Sequence, residues 1–216
     1  MLRLDEKELE APLHWRTPQV VFVSDMSDLF HEEVRDAWLH RIWEIMGRCP
    51  QHTFMLLTKR TARAAAWPGP WWPHLWLGTS VGVRARLSHL DLLRRSGAQT
   101  RIDSFEPLLE DLGTVNLDGM QWVIVGGESG AGFRPMRPEW VRSIRDQCVA
   151  ADIPFFFKQW GGLRHDSGGR LLDGREWNER PAIGPRRRVQ WTRCDERTVG
   201  ELPQPIKAAR SGRRLR

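Results

Sequence analysis

The chain has 216 residues, 40% of them hydrophobic and 28% charged, with a formal net charge of +6. That length buries one sizeable core without disulfide staples, and apolar runs as short as Val20–Val23 and Pro154–Phe157 exclude a membrane-spanning helix, which needs about 20 residues. Cys49, Cys148 and Cys194 are too scattered for a disulfide framework or a local metal knuckle, and the charged opening residues do not read as a signal sequence, so a reducing, cytoplasmic setting is expected.

The body alternates short apolar runs with helical periodicity, which predicts an α/β fold with a parallel sheet. Six strands are expected, at Gln19–Ser24, His52–Thr58, Leu75–Ser80, Thr100–Phe105, Gln121–Val125 and Pro154–Lys158, each apolar on both faces as buried parallel strands are. Between the first two, Val34, Trp38, Ile42, Ile45 and Cys49 form one helical stripe that Pro50 ends. Thr61–Pro73 reads as a short helix followed by a loop. Arg84–Ser96 reads as a helix closed by Gly97 in a left-handed conformation, and Pro138 opens another that carries Val141, Ile144 and Cys148 toward Ala151. Residues 1–160 thus form the folded body. Residues 161–185 lose any sustained period and read as an irregular surface excursion with a hairpin.

Residues 186–216 hold nine Arg and one Lys against three acidic residues, a surplus of seven that leaves the rest of the chain at −1. This stretch reads as a loose basic tail. It supports one functional reading, a nucleic-acid-binding accessory whose tail neutralises phosphates. Only four of the 33 basic residues are lysines, Lys7, Lys59, Lys158 and Lys207. Arg replaces Lys at most solvated sites but not where a compact ammonium is needed, so the remaining lysines carry information.

In parallel α/β proteins the working groups gather at the carboxyl ends of the strands. All six ends here are polar: Asp25, Ser27, Asp28 and His31 follow the first; Lys59 and Arg60 the second; Ser80 ends the third; Glu106 follows the fourth; Gly126, Gly127, Glu128 and Ser129 the fifth; Lys158 and Gln159 close the sixth. Each has a structural alternative, since Ser27 and Asp28 also suit a helix cap, His31 a hydrogen-bonded turn, and Lys59 and Arg60 a solvated pair. Two adjacent glycines let a ligand approach the backbone at Gly126 and Gly127. Gly127-Glu128-Ser129-Gly130-Ala131 misses the serine-hydrolase elbow by one residue, with His165 as its conceivable partner, and Pro135 and Pro138 delay the helix the elbow requires.

The segments DMSDLFHEEV, CPQHTFMLLTKR, LWLGTSV, EPLLEDL, WVIVGGESG, EWVRSIRDQC, IPFFFKQWGG and LLDGREWNE, spread from about Leu2 to Pro181, resemble the phage gene-product-thirty-seven/sixty-eight family, phage and prophage proteins with a three-cysteine motif. The resemblance implies a partial (βα) TIM-type barrel similar to radical S-adenosylmethionine enzymes. There, three thiolates hold a four-iron four-sulfur cluster that cleaves the cosubstrate. It also implies that the first strand and its cysteine loop are missing here, so that no metal site is expected. The cluster and S-adenosylmethionine are expected only if that segment comes from a missing amino-terminal module or a partner protein. On this reading the chain is a truncated or remnant form, an additional sheet edge is exposed, and the candidates listed above line the cosubstrate and substrate pocket.

Overall fold

The computed structural model describes residues 3–24, 27–164 and 167–182. Six parallel strands, β1 (Val20–Val23), β2 (Thr53–Thr58), β3 (Leu75–Ser80), β4 (Thr100–Phe105), β5 (Trp122–Gly126) and β6 (Phe155–Gln159), pair in chain order into a curled half-barrel. The expected partial-barrel architecture is what forms, and the strand bounds differ from the sequence reading by at most one residue. Among the described residues no helix is long and apolar enough to cross a membrane.

The strands bury both faces differently. Alternate residues such as Val21, Phe54, Leu56, Leu75, Leu77, Val123, Phe155 and Phe157 pack into one large core under the helices. The intervening residues Met55, Trp76, Ile102, Trp122 and Ile124 form a second, smaller apolar cluster on the concave face, flanked by Phe22, Leu57 and Phe156. Lys158 sits at an irregularity of β6: Val125 pairs with Phe157 and Gly126 with Gln159, so Lys158 is the extra residue of a bulge and the strand's simple alternation does not extend to it.

Among the described residues five α-helices lie between or before the strands: α1 (Glu6–Glu10), α2 (Asp36–Gly47), α3 (Thr61–Ala66), α4 (Ser88–Arg94) and α5 (Pro138–Ala150). The apolar period did not mark α1, whose amino end Asp5 caps through the Glu8 N–H at 3.3 Å. The stripe expected from Val34 becomes helical only at Asp36, because Val34 belongs to a turn closed onto the His31 carbonyl, and the Arg63 guanidinium binds the Val34 carbonyl at 2.7 Å. The helix expected over Arg84–Ser96 is broken into a 3-10 turn at Arg84–Arg86 and then α4. Gly97 is not left-handed: it is needed for space, since a Cβ there would lie 2.4 Å from the Trp71 ring.

The two sheet edges are finished differently. On the outer side of β6, the Phe157 N–H donates to the Trp177 carbonyl at 2.9 Å and the Glu179 N–H to the Phe155 carbonyl at 3.2 Å, so the chain returns antiparallel beside Phe156. That return brings Leu172 and Trp177 into the main core, and an antiparallel bridge between Leu172 and Arg175 gives the excursion its tight turn. At the other end, among the described residues, β1 pairs with β2 alone. The basic tail, with Cys194, lies outside the described residues, as do Asp25 and His165.

Candidate functional site

The predicted site residues separate into two groups. Around Asp28, at the carboxyl ends of β1 and β2, both carboxylate oxygens have structural partners. Its Oδ1 accepts from the Thr58 hydroxyl at 2.7 Å and the Phe30 N–H at 2.9 Å; its Oδ2 accepts from the Lys59 N–H at 3.0 Å and the Arg60 guanidinium at 3.2 Å. Asp28 therefore ties the loop after β1 to the end of β2. His31 also belongs to this turn, its Nδ1 accepting from the Glu33 N–H at 3.2 Å. Beside the turn a cavity of about 400 Å³ lies between the amino-terminal segment and α2, lined among others by Arg3, Leu9, Ser24, Ser27, Trp38 and Arg60. Lys59 contributes only its backbone to these bonds and its side chain is exposed.

The second group stands at the carboxyl ends of β4, β5 and β6. Lys158 Nζ donates to Glu106 Oε1 at 2.7 Å, and Gln159 Nε2 donates to the same oxygen at 3.2 Å and to the Gly127 carbonyl at 3.2 Å. Both neighbours of the Gln159 amide are acceptors, so its nitrogen must face them, and its buried Oε1 has no donor. Lys158 and Glu106 keep side-chain exposures of 33% and 23%, which leaves the pair reachable. The adjacent glycines serve internal close approach: a Cβ on Gly126 would meet the Glu106 carboxyl at 3.0 Å, and one on Gly127 the Trp160 carbonyl at 1.9 Å. Ser80, half-buried at the end of β3, is in register with Ser104 on β4.

Glu128 is not part of either group. Arg134 holds it through the backbone N–H at 2.8 Å and the guanidinium at 2.9 and 2.8 Å, and those bonds pull its carboxyl down to about 2. Ser129 forms a parallel bridge to Gly162, and α5 starts only at Pro138, so the sharp strand-to-helix turn of a hydrolase elbow is replaced by a loop.

Several polar residues outside the candidate set are buried. Thr61 Oγ1 lies 2.7 Å from Thr79 Oγ1 and 3.3 Å from His89 Nδ1, and the Thr79 hydroxyl donates to the Thr58 carbonyl at 3.0 Å, a buried hydroxyl chain linking β2, β3 and α4. Burial depresses the His89 imidazole below its ordinary value. Asp103, in β4 among the helices, is fully buried with neither oxygen partnered, and desolvation pushes it up to about 8. Asp103 and Thr79 are legible in the sequence as polar residues near strand ends, but their burial follows from the strand register, because alternate positions face the helical core.

An iron-sulfur cluster finds no fit among the described residues. Cys49 and Cys148 are both buried, in the cores beside α2 and α5, and burial drives the Cys148 thiol up to about 12, far from the thiolate a cluster needs. No group of three His, Cys, Asp or Glu able to hold a metal occurs among the described residues.

Among known proteins, a family model described as a protein of unknown function, DUF5131, matches residues 1–181. No curated protein and no solved structure matches the chain.

Proposed function

Starting from the fact that this chain belongs to the DUF5131 family, we propose that it is the substrate-holding half-barrel of a phage-type protein of radical-S-adenosylmethionine-like kind, and that its site is the Glu106, Lys158 and Gln159 cluster. The observation that carries the reading is the joint position of these three side chains. They come from the ends of β4 and β6, meet at one carboxylate oxygen of Glu106, and keep a reachable cation and a reachable anion 2.7 Å apart. Opposite charges held side by side at the mouth of a partial barrel suit a small ligand with both a donor and an acceptor group.

The described cysteines do not fit the cluster, so no radical step is assigned to this chain. Its own residues bind and orient: Lys158 offers N–H donors to a carboxylate or carbonyl, Glu106 accepts from an amine or hydroxyl, and Gln159 fixes Glu106 by bridging it to the Gly127 carbonyl. The Asp28 cluster is the weaker candidate because its carboxylate has four protein donors already.

Calorimetric titration of the full chain with S-adenosylhomocysteine, a stable analogue of the cosubstrate, tests the reading. Micromolar binding that weakens at least about tenfold, a 1.4 kcal/mol loss, in Lys158→Ala and Glu106→Ala but not in Lys59→Ala supports it. Absence of binding, or equal affinity in all three variants, overturns it.

A further inference from the structure

We propose that Lys158 is a covalent catalytic residue that condenses with a small aldehyde or ketone to form an imine, with Glu106 as its proton carrier. The inference rests on the rim reading of the site above, but not on binding of any cosubstrate.

The choice of residue is the first argument. In a chain where 29 of 33 basic residues are Arg, an ion pair with Glu106 would be better served by a guanidinium, which is planar, always charged and bidentate toward a carboxylate. A lysine kept at this position supplies what Arg cannot, an amine able to lose its proton and act as a nucleophile. Geometry is the second argument. Lys158 Nζ lies 2.7 Å from Glu106 Oε1, within direct proton-transfer distance. Gln159, itself 3% exposed, holds that carboxylate in place through a second bond to the same oxygen.

The surroundings are the third argument. Phe156, two residues before Lys158, belongs to the apolar cluster with Trp122 and Ile124, and the bulge at Lys158 carries the amine past that cluster while one third of its side chain stays accessible. Lys59 supplies the contrast within the same rim: it is exposed, and no carboxylate pairs with its ammonium among the described residues.

The chemistry balances without any further reagent. Glu106 takes a proton from the Lys158 ammonium, and the freed Nζ pair attacks the carbonyl carbon while the carbonyl π pair moves to oxygen, which takes a proton from the now cationic Nζ to give a neutral carbinolamine. Glu106 returns its proton to the resulting hydroxyl, which leaves as water as the nitrogen pair forms the C=N bond. One ammonium and one carbonyl compound become one protonated imine and one water, and hydrolysis reverses the step.

The test is reductive trapping. The full chain is incubated with glyoxylate and sodium cyanoborohydride, and the four lysines are mapped by peptide mass spectrometry. Carboxymethylation of Lys158 at least about tenfold faster than at Lys7, Lys59 or Lys207 is expected, falling about a hundredfold in Glu106→Gln, the scale of a lost general acid-base. Equal labelling of all four lysines, or none at Lys158, overturns the inference. So does a Glu106→Gln chain, shown by its melt to be folded, that labels Lys158 at the wild-type rate or faster, because Glu106 would then be an ion partner and not a proton carrier. Trapping that fails while S-adenosylhomocysteine still binds removes the imine and leaves the rim site standing; trapping without that binding does the reverse.

Discussion

Asp28 and Glu106 both follow the carboxyl end of a strand, and both are paired with a basic side chain. Asp28 accepts from four donors spread over both oxygens, three of them from the end of β2, and its side chain is only 15% exposed. The donors to Glu106, Lys158 and Gln159, converge on one oxygen, and the pair stays within reach of solvent. Carboxylates at equivalent places are therefore held differently: one with donors on both oxygens fastens a loop, while one whose donors share a single oxygen stands beside a partly exposed ammonium. Asp103 extends the series to its limit, a carboxyl with no donor at all.

That limit gives the largest expected effect. The folded carboxyl of Asp103 sits at about 8, against 3.8 when solvated. Between those values the unfolded chain has released a proton that the folded chain still holds, so stability falls as pH rises from about 4 to about 8, by about 1.4 kcal/mol per pH unit, and levels off above that. Urea unfolding of Asp103→Asn across this window should lose that slope and leave the variant the more stable chain at pH 7. An unchanged slope would show that Asp103 has a buried donor after all and belongs with Asp28.

Next comes Asp28→Ala, which leaves the Thr58 hydroxyl, two backbone N–H groups and the Arg60 guanidinium without their acceptor. A loss of about 3 kcal/mol is expected, read as a melting temperature lower by roughly 6–12 °C for a chain of this size. Lys158→Met should cost less than about 1 kcal/mol, as partly exposed ion pairs do, while abolishing reductive trapping. Equal losses in the two variants would erase the distinction between fastening and working carboxylates.

The sequence carried the architecture because buried parallel strands are short, apolar on both faces and separated by helical stripes. β2 through β6 could be read to within a residue for that reason. The residues of the proposed site are legible for a related reason: strand ends are where loops converge, so Glu106, Lys158 and Gln159 are candidates by place alone. What it could not carry was which polar residues are already satisfied. Asp28 and Glu106 look alike along the chain, and only the fold shows that Thr58, Lys59 and Arg60 all converge on the first. Gly126 and Gly127 suggest an opening for a ligand, yet their space is taken by the Glu106 carboxyl and the Trp160 carbonyl. The edge of β6 was equally hidden, because its cover, Trp177–Glu179, comes from a stretch with no period of its own.

The smallest effect concerns Glu128, which the strand-end pattern placed beside Glu106. Arg134 holds the Glu128 carboxyl at about 2, below its ordinary 4.5, first through the side-chain bonds and then through the backbone N–H. A depressed folded value means that the pair's contribution is complete above the unfolded value and disappears as pH falls toward 2. At neutral pH, Arg134→Ala should hardly move the melting temperature, since this pair is solvent-exposed and such pairs contribute little. Its signature is instead local: a carboxyl-carbon NMR titration should place Glu128 well above its wild-type value in Arg134→Ala. The trapping rate at Lys158 should stay unchanged. A carboxyl that does not move would mean that Arg134 is not its partner in solution, and Glu128 would then rejoin Glu106 as a group free to meet a ligand.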